Sequence, residues 1–230
     1  MLDLRTGGGV ARVFLDCPEK ANALDSALLR ELLLCLEELK GDESLRAVLL
    51  GGRGNAFCGG ADVDELRALT ARNASDFVLK IHSVCKAIRG LPVPVVARLH
   101  GAAIGAGLEI AAACDLRVAA EGTKFAMPEV RLGIPSVVEA ALLPRLMGSG
   151  RAAWLVLTGE AIDARQAYAW GLVEKVAADI DAEIENVLKS LVAGEREALR
   201  VQKQLLQLWE ESPLGDAVAA SIEMFARAHR

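Results

Sequence analysis

Two glycine-rich segments contain the residues best suited to chemistry. Residues 55–62 include Gly59 and Gly60, and residues 100–109 include Gly105. Glycine permits unusual backbone angles and the close approach of another group. The second segment has the pattern of a strand that turns into a helix, and the first peptide N–H groups of a helix have no intrahelical partner and favour negative charge. Two backbone donors from these turns could together hold an oxyanion.

The composition limits the class of protein that could present these turns. The chain has 230 residues, of which 53% are hydrophobic and 25% charged, with only 7 prolines. These values predict a globular chain with a large core and exclude disordered or collagen-like structure. The net charge is −5 and no run of Lys or Arg is present. Nucleic acid is therefore not expected as a partner.

The cysteines and the N-terminus indicate the cellular compartment in which the protein is expected. The five cysteines lie at least eighteen residues apart, so none forms a C-x-x-C pair for zinc or dithiol chemistry, and their odd number argues against a disulfide scaffold. The N-terminus lacks the basic-then-apolar order of a signal peptide, and the longest weakly polar stretch, residues 101–114, is too short to span a membrane. We expect a cytoplasmic protein with no metal site and no membrane association.

The elements that must position the two turns can be predicted from hydrophobic spacing. Hydrophobic residues have helical spacing in residues 26–40 and 75–89. Strands are indicated by short apolar runs at residues 10–15 and 47–50, and by residues 92–99, where prolines are followed by β-branched residues. Strands thus alternate with helices, which predicts an α/β fold.

The second half of the chain changes character. Strands are predicted at residues 116–119 and near Phe125, followed by a loop from Pro128 to Pro135 and then a return to helix. From about Asp179 only helices are expected, in the following ranges: 180–191, 195–209 and 213–228. We therefore predict an α/β core over residues 1–178 and a helical region over residues 179–230.

Four ordered motifs carry a resemblance to a known family, and together they are far more specific than one glycine-rich turn. The motifs and the LDCPEKANAL opening resemble the enoyl-CoA hydratase/isomerase (crotonase) family from about Val10 to Val176. The motifs are FCGGADVDEL, HGAAIGAGLEIAAACD, FAMPEVRLGIP and LTGEAIDARQAYAWGLVEKV.

The resemblance implies a fold, a ligand and an assembly. The fold would be a crotonase-like spiral of β-β-α turns followed by a C-terminal helical trimerisation region, in a homotrimer or a dimer of trimers. The site would bind an acyl-CoA, with the thioester oxygen between the backbone N–H groups of Ala61 and Ala106. Coenzyme A would be part of the substrate, and no separate cofactor or metal is expected. The substrate-binding residues implied by the resemblance are Lys20, Ala21, Asn22, Ala23, Gly59, Gly60, Asp62 and Gly105.

Two glutamates indicate the reaction within the family. The catalytic glutamates of the hydratases are separated by twenty residues, and Glu109 and Glu129 have this separation. Hydration of a C2=C3 double bond requires one group that deprotonates water at C3 and another that protonates C2. The resemblance implies that Glu109 holds the water and that Glu129 delivers the proton. Two carboxyl groups in one apolar site should raise the pKa of at least one of them.

The sequence departs from the family pattern at three places. Ser136 and the bulky residues after it replace a glycine-rich P-G-x-G-G-T stretch, so we expect a reshaped acyl pocket. Asp64 stands where some relatives have a lysine near the CoA phosphates. The sequence stops at Arg230, before a helix that in the family usually helps to close the CoA pocket. Either the protein is short or the sequence lacks a tail; if the helix is absent, we expect a more open pocket and weaker binding.

Other interpretations of the same residues remain open. The protein could be a double-bond isomerase, which could work with Glu129 alone, or could catalyse another acyl-CoA reaction that uses the same enolate stabilisation. It could also be a non-catalytic acyl-CoA-binding or assembly protein that keeps the fold. Glu139 could enter the site, but we expect it on a solvated helix face. We also expect Cys58 to be a small buried residue and His100 to be a hydrogen-bonded core histidine. The three tryptophans are expected in the core or in subunit contacts.

Overall fold

The computed structural model describes residues 1–227. Its strands, in chain order, are β1 (Leu2–Gly7), β2 (Val10–Leu15), β3 (Ala47–Gly52), β4 (Val95–Leu99), β5 (Ala102–Ile104), β6 (Leu116–Ala120), β7 (Lys124–Ala126), β8 (Ile162–Asp163) and β9 (Lys175–Ala177). One sheet has the order β1-β2-β3-β4-β6-β9, with only the β1–β2 pair antiparallel. A smaller sheet has the order β5-β7-β8.

Helices connect and cover the strands. They are α1 (Ser26–Lys40), α2 (Val63–Ala68), α3 (Ala74–Gly90), α4 (Ala106–Ala113), α5 (Leu143–Met147), α6 (Ser149–Thr158), α7 (Ala164–Trp170), α8 (Ile180–Ala193), α9 (Arg196–Glu211) and α10 (Leu214–Arg227). Short 3-10 helices lie at Pro18–Lys20, Glu129–Leu132 and Val138–Leu142. The predicted α/β class is confirmed.

The helix α1 shows how the sequence determines local structure here. The carboxylate of Asp25 accepts a hydrogen bond from the backbone N–H of Leu28 and so caps the first turn. Leucines three and four residues apart form one buried face, which packs on the main core together with α3. The helix ends at Gly41, as its spacing predicts.

Two contacts show how the C-terminal helices are attached to the core. The buried face of α8, with Ile180, Ile184 and Leu188, packs against the six-stranded sheet. In α9, the buried ammonium of Lys203 pairs with Asp115 at 2.8 Å. The predicted boundary between residues 178 and 179 falls between β9 and α8, and as a domain boundary it stays a prediction.

Most predicted elements are present, with some differences. The predicted loop of residues 128–135 contains a 3-10 helix, and β1 and α2 were not predicted. Of the three tryptophans, Trp170 packs at the core, whereas Trp154 and Trp209 are about half exposed in the chain. Ala228, the last residue of the predicted third C-terminal helix, lies outside the described residues. Over residues 1–227, no helix is long and apolar enough to cross a membrane.

Candidate active site

The two glycine-rich segments run side by side. The backbone N–H of Cys58 donates to the carbonyl of Ala102 at 3.0 Å, and the N–H of Ile104 donates to the carbonyl of Cys58 at 3.1 Å. Cys58 is fully buried, as predicted, and its burial raises the pKa of the thiol to about 12. A β-carbon on Gly107 would overlap Cys58, so glycine permits this close approach.

The peptide N–H of Ala61 points away from Leu24, the residue with which Ala61 forms a β-bridge. Leu24 bridges this segment by donating to the carbonyl of Gly60 at 2.8 Å and accepting from the N–H of Asp62 at 3.0 Å. In a parallel bridge of this kind, the residue between those two bonds directs its own N–H to the opposite side. For Ala61 that side is a cavity, whose wall includes Gly59, Gly60 and Ala61.

The peptide N–H of Ala106 opens the helix α4. The preceding Gly105 has φ +52° and ψ −124°, a conformation that glycine adopts without strain. The first N–H groups of a helix have no intrahelical acceptor. Within residues 1–227, neither Ala61 nor Ala106 donates a backbone hydrogen bond. Both residues line the same cavity, so two free peptide donors face one space.

The cavity has a volume of about 440 Å³ and also contains both glutamates in its wall. Its remaining wall is mainly apolar. These side chains come from α2, α3 and the segment after Glu129, and they include Val63, Leu66, Leu69, Phe77, Val78, Ile81, Leu132, Ile134 and Val137. An apolar cavity with a few polar groups at one end is typical of a small-molecule site.

Glu109 is the more deeply buried of the two carboxyl groups. It lies in the first turn of α4, is only 4% exposed and accepts a hydrogen bond at Oε1 from the backbone N–H of Ala140 at 3.0 Å. Burial raises the pKa of Glu109 from 4.5 to about 8, against the opposing effect of this hydrogen bond. The nearby charges of Glu129 and Glu139 add to the increase. The predicted increase in a glutamate pKa is thus found at Glu109.

Glu129 is held by contacts on both of its oxygens. It begins the 3-10 helix Glu129–Leu132 that follows β7. The hydroxyl of Ser136 donates to its Oε2 at 2.8 Å. Its Oε1 lies against the backbone of Gly105, where a β-carbon would overlap it. The carboxyl group is therefore fixed beside the turn that presents the N–H of Ala106.

The expectation of a solvated position for Glu139 is wrong. Its side chain is not on a solvated helix face but is buried next to Glu109, with Oε1 at 2.8 Å from Nδ1 of His82. The reason is the backbone of the 3-10 helix Val138–Leu142, in which Val138 has φ +40°. An α-helical spacing rule does not apply to such a turn. His100 forms the predicted hydrogen bond, through Nε2 to the carbonyl of Gly54.

The predicted substrate-binding residues divide into two groups. Gly59, Gly60 and Gly105 line the cavity together with the alanines and glutamates described above. Lys20, Ala21, Asn22, Ala23 and Asp62 do not line it.

Two residues of the second group have structural roles in the chain. The amide nitrogen of Asn22 is buried and donates to the carbonyls of Arg53, Ala56 and Phe57. The carboxylate of Asp62 caps α2 and pairs with Lys20 at 3.2 Å. Substrate contacts by all five residues of this second group stay predictions.

Sequence reasoning did not assign roles to several residues at the site. Ser136 binds Glu129 and Ala140 binds Glu109, although both lie in the stretch that departs from the family pattern. Phe77 and Ile81 of α3 line the cavity. The helical spacing of residues 75–89 predicts that these two are buried, but it does not indicate that they face a ligand.

Comparison with known proteins agrees with this geometry. A sequence model of the family described as enoyl-CoA hydratase/isomerase matches residues 5–229. The short-chain-enoyl-CoA hydratase of Clostridium acetobutylicum is 32% identical over 226 residues, which cover 96% of this chain and 87% of that protein.

Solved structures are similar over nearly the whole chain. A crystal structure of an enoyl-CoA hydratase from Mycobacterium smegmatis has a TM-score of 0.96 at 35% identity, covering 99% of this chain and 90% of that one. The enoyl-CoA hydratase from Bacillus anthracis has a TM-score of 0.94 at 29% identity, covering 98% and 89%. The sequence match, the fold and the paired turns lead to one conclusion: the chain belongs to the enoyl-CoA hydratase/isomerase family.

Proposed function

We propose that this protein is an enoyl-CoA hydratase, which adds water across the C2=C3 double bond of a 2-enoyl-CoA thioester. The observation that carries the proposal is the placement of Glu109 and Glu129 in the wall of one apolar cavity, beside two peptide N–H groups that have no acceptor among residues 1–227. The hydratase named above from Clostridium acetobutylicum supports it.

The two peptide donors, on Ala61 and Ala106, would bind the thioester oxygen. Addition of water at C3 gives the thioester enolate character, which places negative charge on that oxygen. Fixed N–H donors stabilise this charge without having to reorganise, and loss of one such donor typically lowers the rate by about 10²–10³-fold. The start of α4 adds its dipole at Ala106.

The two glutamates would divide the proton transfers between them. As the C3–O bond forms, an O–H bond of water breaks and Glu109 takes the proton. As the C2–H bond forms, Glu129 delivers its own proton. The pair must therefore hold one proton at the start. Burial raises the pKa of Glu109 to about 8, so Glu109 can hold this proton. In our proposal, water bound between the two carboxyl groups transfers it to Glu129.

The acyl chain would lie in the apolar part of the cavity, and the CoA part of the substrate would extend outward. No other cofactor and no metal enter this proposal. Lys20, whose side chain is about half exposed, is a candidate for contact with the CoA phosphates. We propose the cytoplasm as the location.

The test is a spectrophotometric assay that follows loss of the conjugated thioester absorbance. Crotonyl-CoA and several longer or branched 2-enoyl-CoAs are compared for the wild-type protein, Glu109→Gln and Glu129→Gln. We expect loss of absorbance with the wild-type protein and a decrease in rate of at least about 10²-fold in either variant. Full hydration activity in Glu109→Gln would contradict the role of Glu109.

Two outcomes would favour the other functions. Movement of the double bond that depends on Glu129 but not on Glu109 would indicate an isomerase, which needs only one group to transfer a proton between C2 and C4. Binding of acyl-CoA with no product after prolonged incubation would indicate a binding or assembly protein.

We also propose a homotrimer or a dimer of trimers. Several large apolar side chains of α9 and α10, including Leu206, Leu214 and Ile222, are exposed in the single chain. Subunit contacts would cover them. Sedimentation equilibrium tests this assembly, and a stable monomer at micromolar concentration would contradict it.

A further inference from the structure

The short helix α2 forms part of the cavity wall. Leu66 of this helix and Leu69, which follows its end, both line the cavity and pack on the main core. None of the six residues of α2 is itself buried. A helix of this length has little stability of its own, because a few hydrogen bonds do not offset the entropy lost in forming the first turn. The position of α2 therefore depends on its contacts with neighbouring elements.

Glu65 joins α2 to the start of α1. Its Oε2 accepts a hydrogen bond from the backbone N–H of Ser26 at 2.7 Å, and its Oε1 accepts one from the Ser26 hydroxyl. Ser26 is the first residue of α1, where the helix dipole favours negative charge. Within residues 1–227, Glu65 is the only residue of α2 whose side chain forms a hydrogen bond with another element. It is therefore the polar attachment of this part of the wall.

The Ser26 hydroxyl extends the contact to a third helix. While it donates to Glu65, it accepts a hydrogen bond at 2.7 Å from the ammonium of Lys80, on α3. The helix α3 also belongs to the cavity wall, through Phe77 and Ile81. Hydrogen bonds with a charged partner are stronger than neutral ones, and here both bonds of the hydroxyl have one. We call Glu65, Ser26 and Lys80 the Ser26 cluster.

The Ser26 cluster lies outside the cavity. None of its three residues lines the cavity, and Ser26 and Lys80 line a separate groove of about 760 Å³ between α1 and α3. The Ala61 donor is held by other contacts, namely the two backbone hydrogen bonds between its neighbours and Leu24. Loss of the cluster should therefore move the apolar wall and leave the donor in place.

We propose that Glu65 is a positioning residue, which fixes α2 through Ser26 and so maintains the apolar wall that binds the substrate. The proposal rests on the proposed hydratase function. Glu65 acts through Leu66 and Leu69 without touching the acyl-CoA. Apolar contacts with this wall are present in the ground state and in the transition state alike. Their loss therefore raises KM and leaves kcat nearly unchanged.

The kinetic test compares Glu65→Ala with Asp76→Ala, which removes an exposed carboxylate from the same outer groove. With 2-octenoyl-CoA we expect KM to rise about tenfold in Glu65→Ala and kcat to stay within about twofold of wild type, because burial of a single methylene group already changes binding about fourfold. Asp76→Ala should keep both constants. An unchanged KM in Glu65→Ala, or a fall in kcat without a rise in KM, would overturn the proposal.

Two variants of Ser26 separate the contact from a general loss of stability. Ser26→Thr keeps the hydroxyl and should keep the KM of the wild-type protein. Ser26→Ala loses the hydroxyl but not the N–H that Glu65 accepts, so we expect a smaller rise in KM, of about threefold or more. If Glu65→Ala does not fold, this pair decides the question. Equal KM values in Ser26→Thr and Ser26→Ala would overturn the proposal.

Binding of octanoyl-CoA tests the wall without turnover, since this saturated thioester cannot be hydrated. In isothermal titration calorimetry, Kd should rise about tenfold in Glu65→Ala relative to wild type and to Asp76→Ala. If the wild-type protein binds octanoyl-CoA but hydrates no enoyl-CoA, the proposed function fails and these Kd values decide the inference. Equal Kd values in wild type and Glu65→Ala, or no binding by the wild type, would overturn it.

Discussion

The carboxyl group of Glu129 lies against the backbone of Gly105, so that a β-carbon on residue 105 would overlap Oε1 of Glu129. This contact joins the proposed proton donor to the turn that presents the N–H of Ala106. The absence of a side chain at residue 105 is therefore a requirement of the site as well as of the turn.

We predict that Gly105→Ala lowers kcat by at least about 10²-fold. The new β-carbon displaces the Glu129 carboxyl, and a displacement of about 1 Å can cost this much. Alanine is also strained at the φ of +52°. The assay is hydration of crotonyl-CoA, with Gly122→Ala as control, since a β-carbon at Gly122 would meet no atom within 4 Å. A Gly105→Ala variant with wild-type kcat would show that the contact does not matter.

Ser136→Ala tests the second contact of Glu129. The lost hydrogen bond, 2.8 Å from Oγ to Oε2, leaves one carboxyl oxygen without its donor. Ser136 holds the carboxyl group that delivers the proton in position, so we expect kcat to fall by about tenfold or more, with little change in KM. Ser75→Ala is the matched control, because Ser75 lines the cavity but donates no hydrogen bond to either glutamate. Equal kcat values in the two variants would refute the role of Ser136.

Glu109 should make the protein less stable as the pH rises. Its pKa in the folded protein is about 8 against an ordinary value of 4.5, so folding favours its protonated form. The stability that it contributes is fully present below about pH 4.5 and is lost as the pH rises toward 8. Glu109→Gln removes this dependence. Its free energy of unfolding relative to wild type should increase by ~3 kcal/mol between pH 5 and pH 8.

Urea denaturation at a series of pH values measures this difference. The exposed Glu121→Gln serves as the control and should follow the wild-type pH dependence. A constant difference between Glu109→Gln and wild type from pH 5 to pH 8 would mean that Glu109 is ionised throughout this range.

Lys203→Met tests the attachment of the C-terminal helices. The buried ammonium of Lys203 pairs with Asp115 and donates to the carbonyls of Ile88 and Val93. Its removal takes the cation from Asp115 and one donor from each carbonyl, so we expect a loss of about 3 kcal/mol in the free energy of unfolding. Lys189→Met, at an exposed position on α8, is the control. The amides of α9 should exchange hydrogen faster in Lys203→Met than in Lys189→Met. Equal protection of α9 in the two variants would contradict the prediction.

Much of the fold could be predicted because its helices and inner strands have strong periodicity. The buried leucines of α1 and the apolar run of β4 are examples. By contrast, β1 was missed because it is an edge strand with mostly exposed residues, and α2 because it is only six residues long. Short and exposed elements produce little hydrophobic signal.

The site was predictable only as far as its motifs extend. The spacing of Glu109 and Glu129 and the two glycine-rich turns indicated which residues line the cavity. The environment of Glu139 could not be predicted, because it depends on a positive φ at Val138, which β-branched residues rarely adopt. The contacts of Ser136 and Ala140 depend on the same segment.

The two proposed donors at Ala61 and Ala106 are peptide groups on segments joined by backbone hydrogen bonds. Substitution of either alanine leaves the peptide N–H in place, unless the new residue is proline, which has no N–H. The apolar wall opposite, by contrast, consists of side chains. Mutations there can alter the shape of the acyl pocket while leaving the donors in place, so new substrate preferences could evolve without rebuilding the part of the site that stabilises charge.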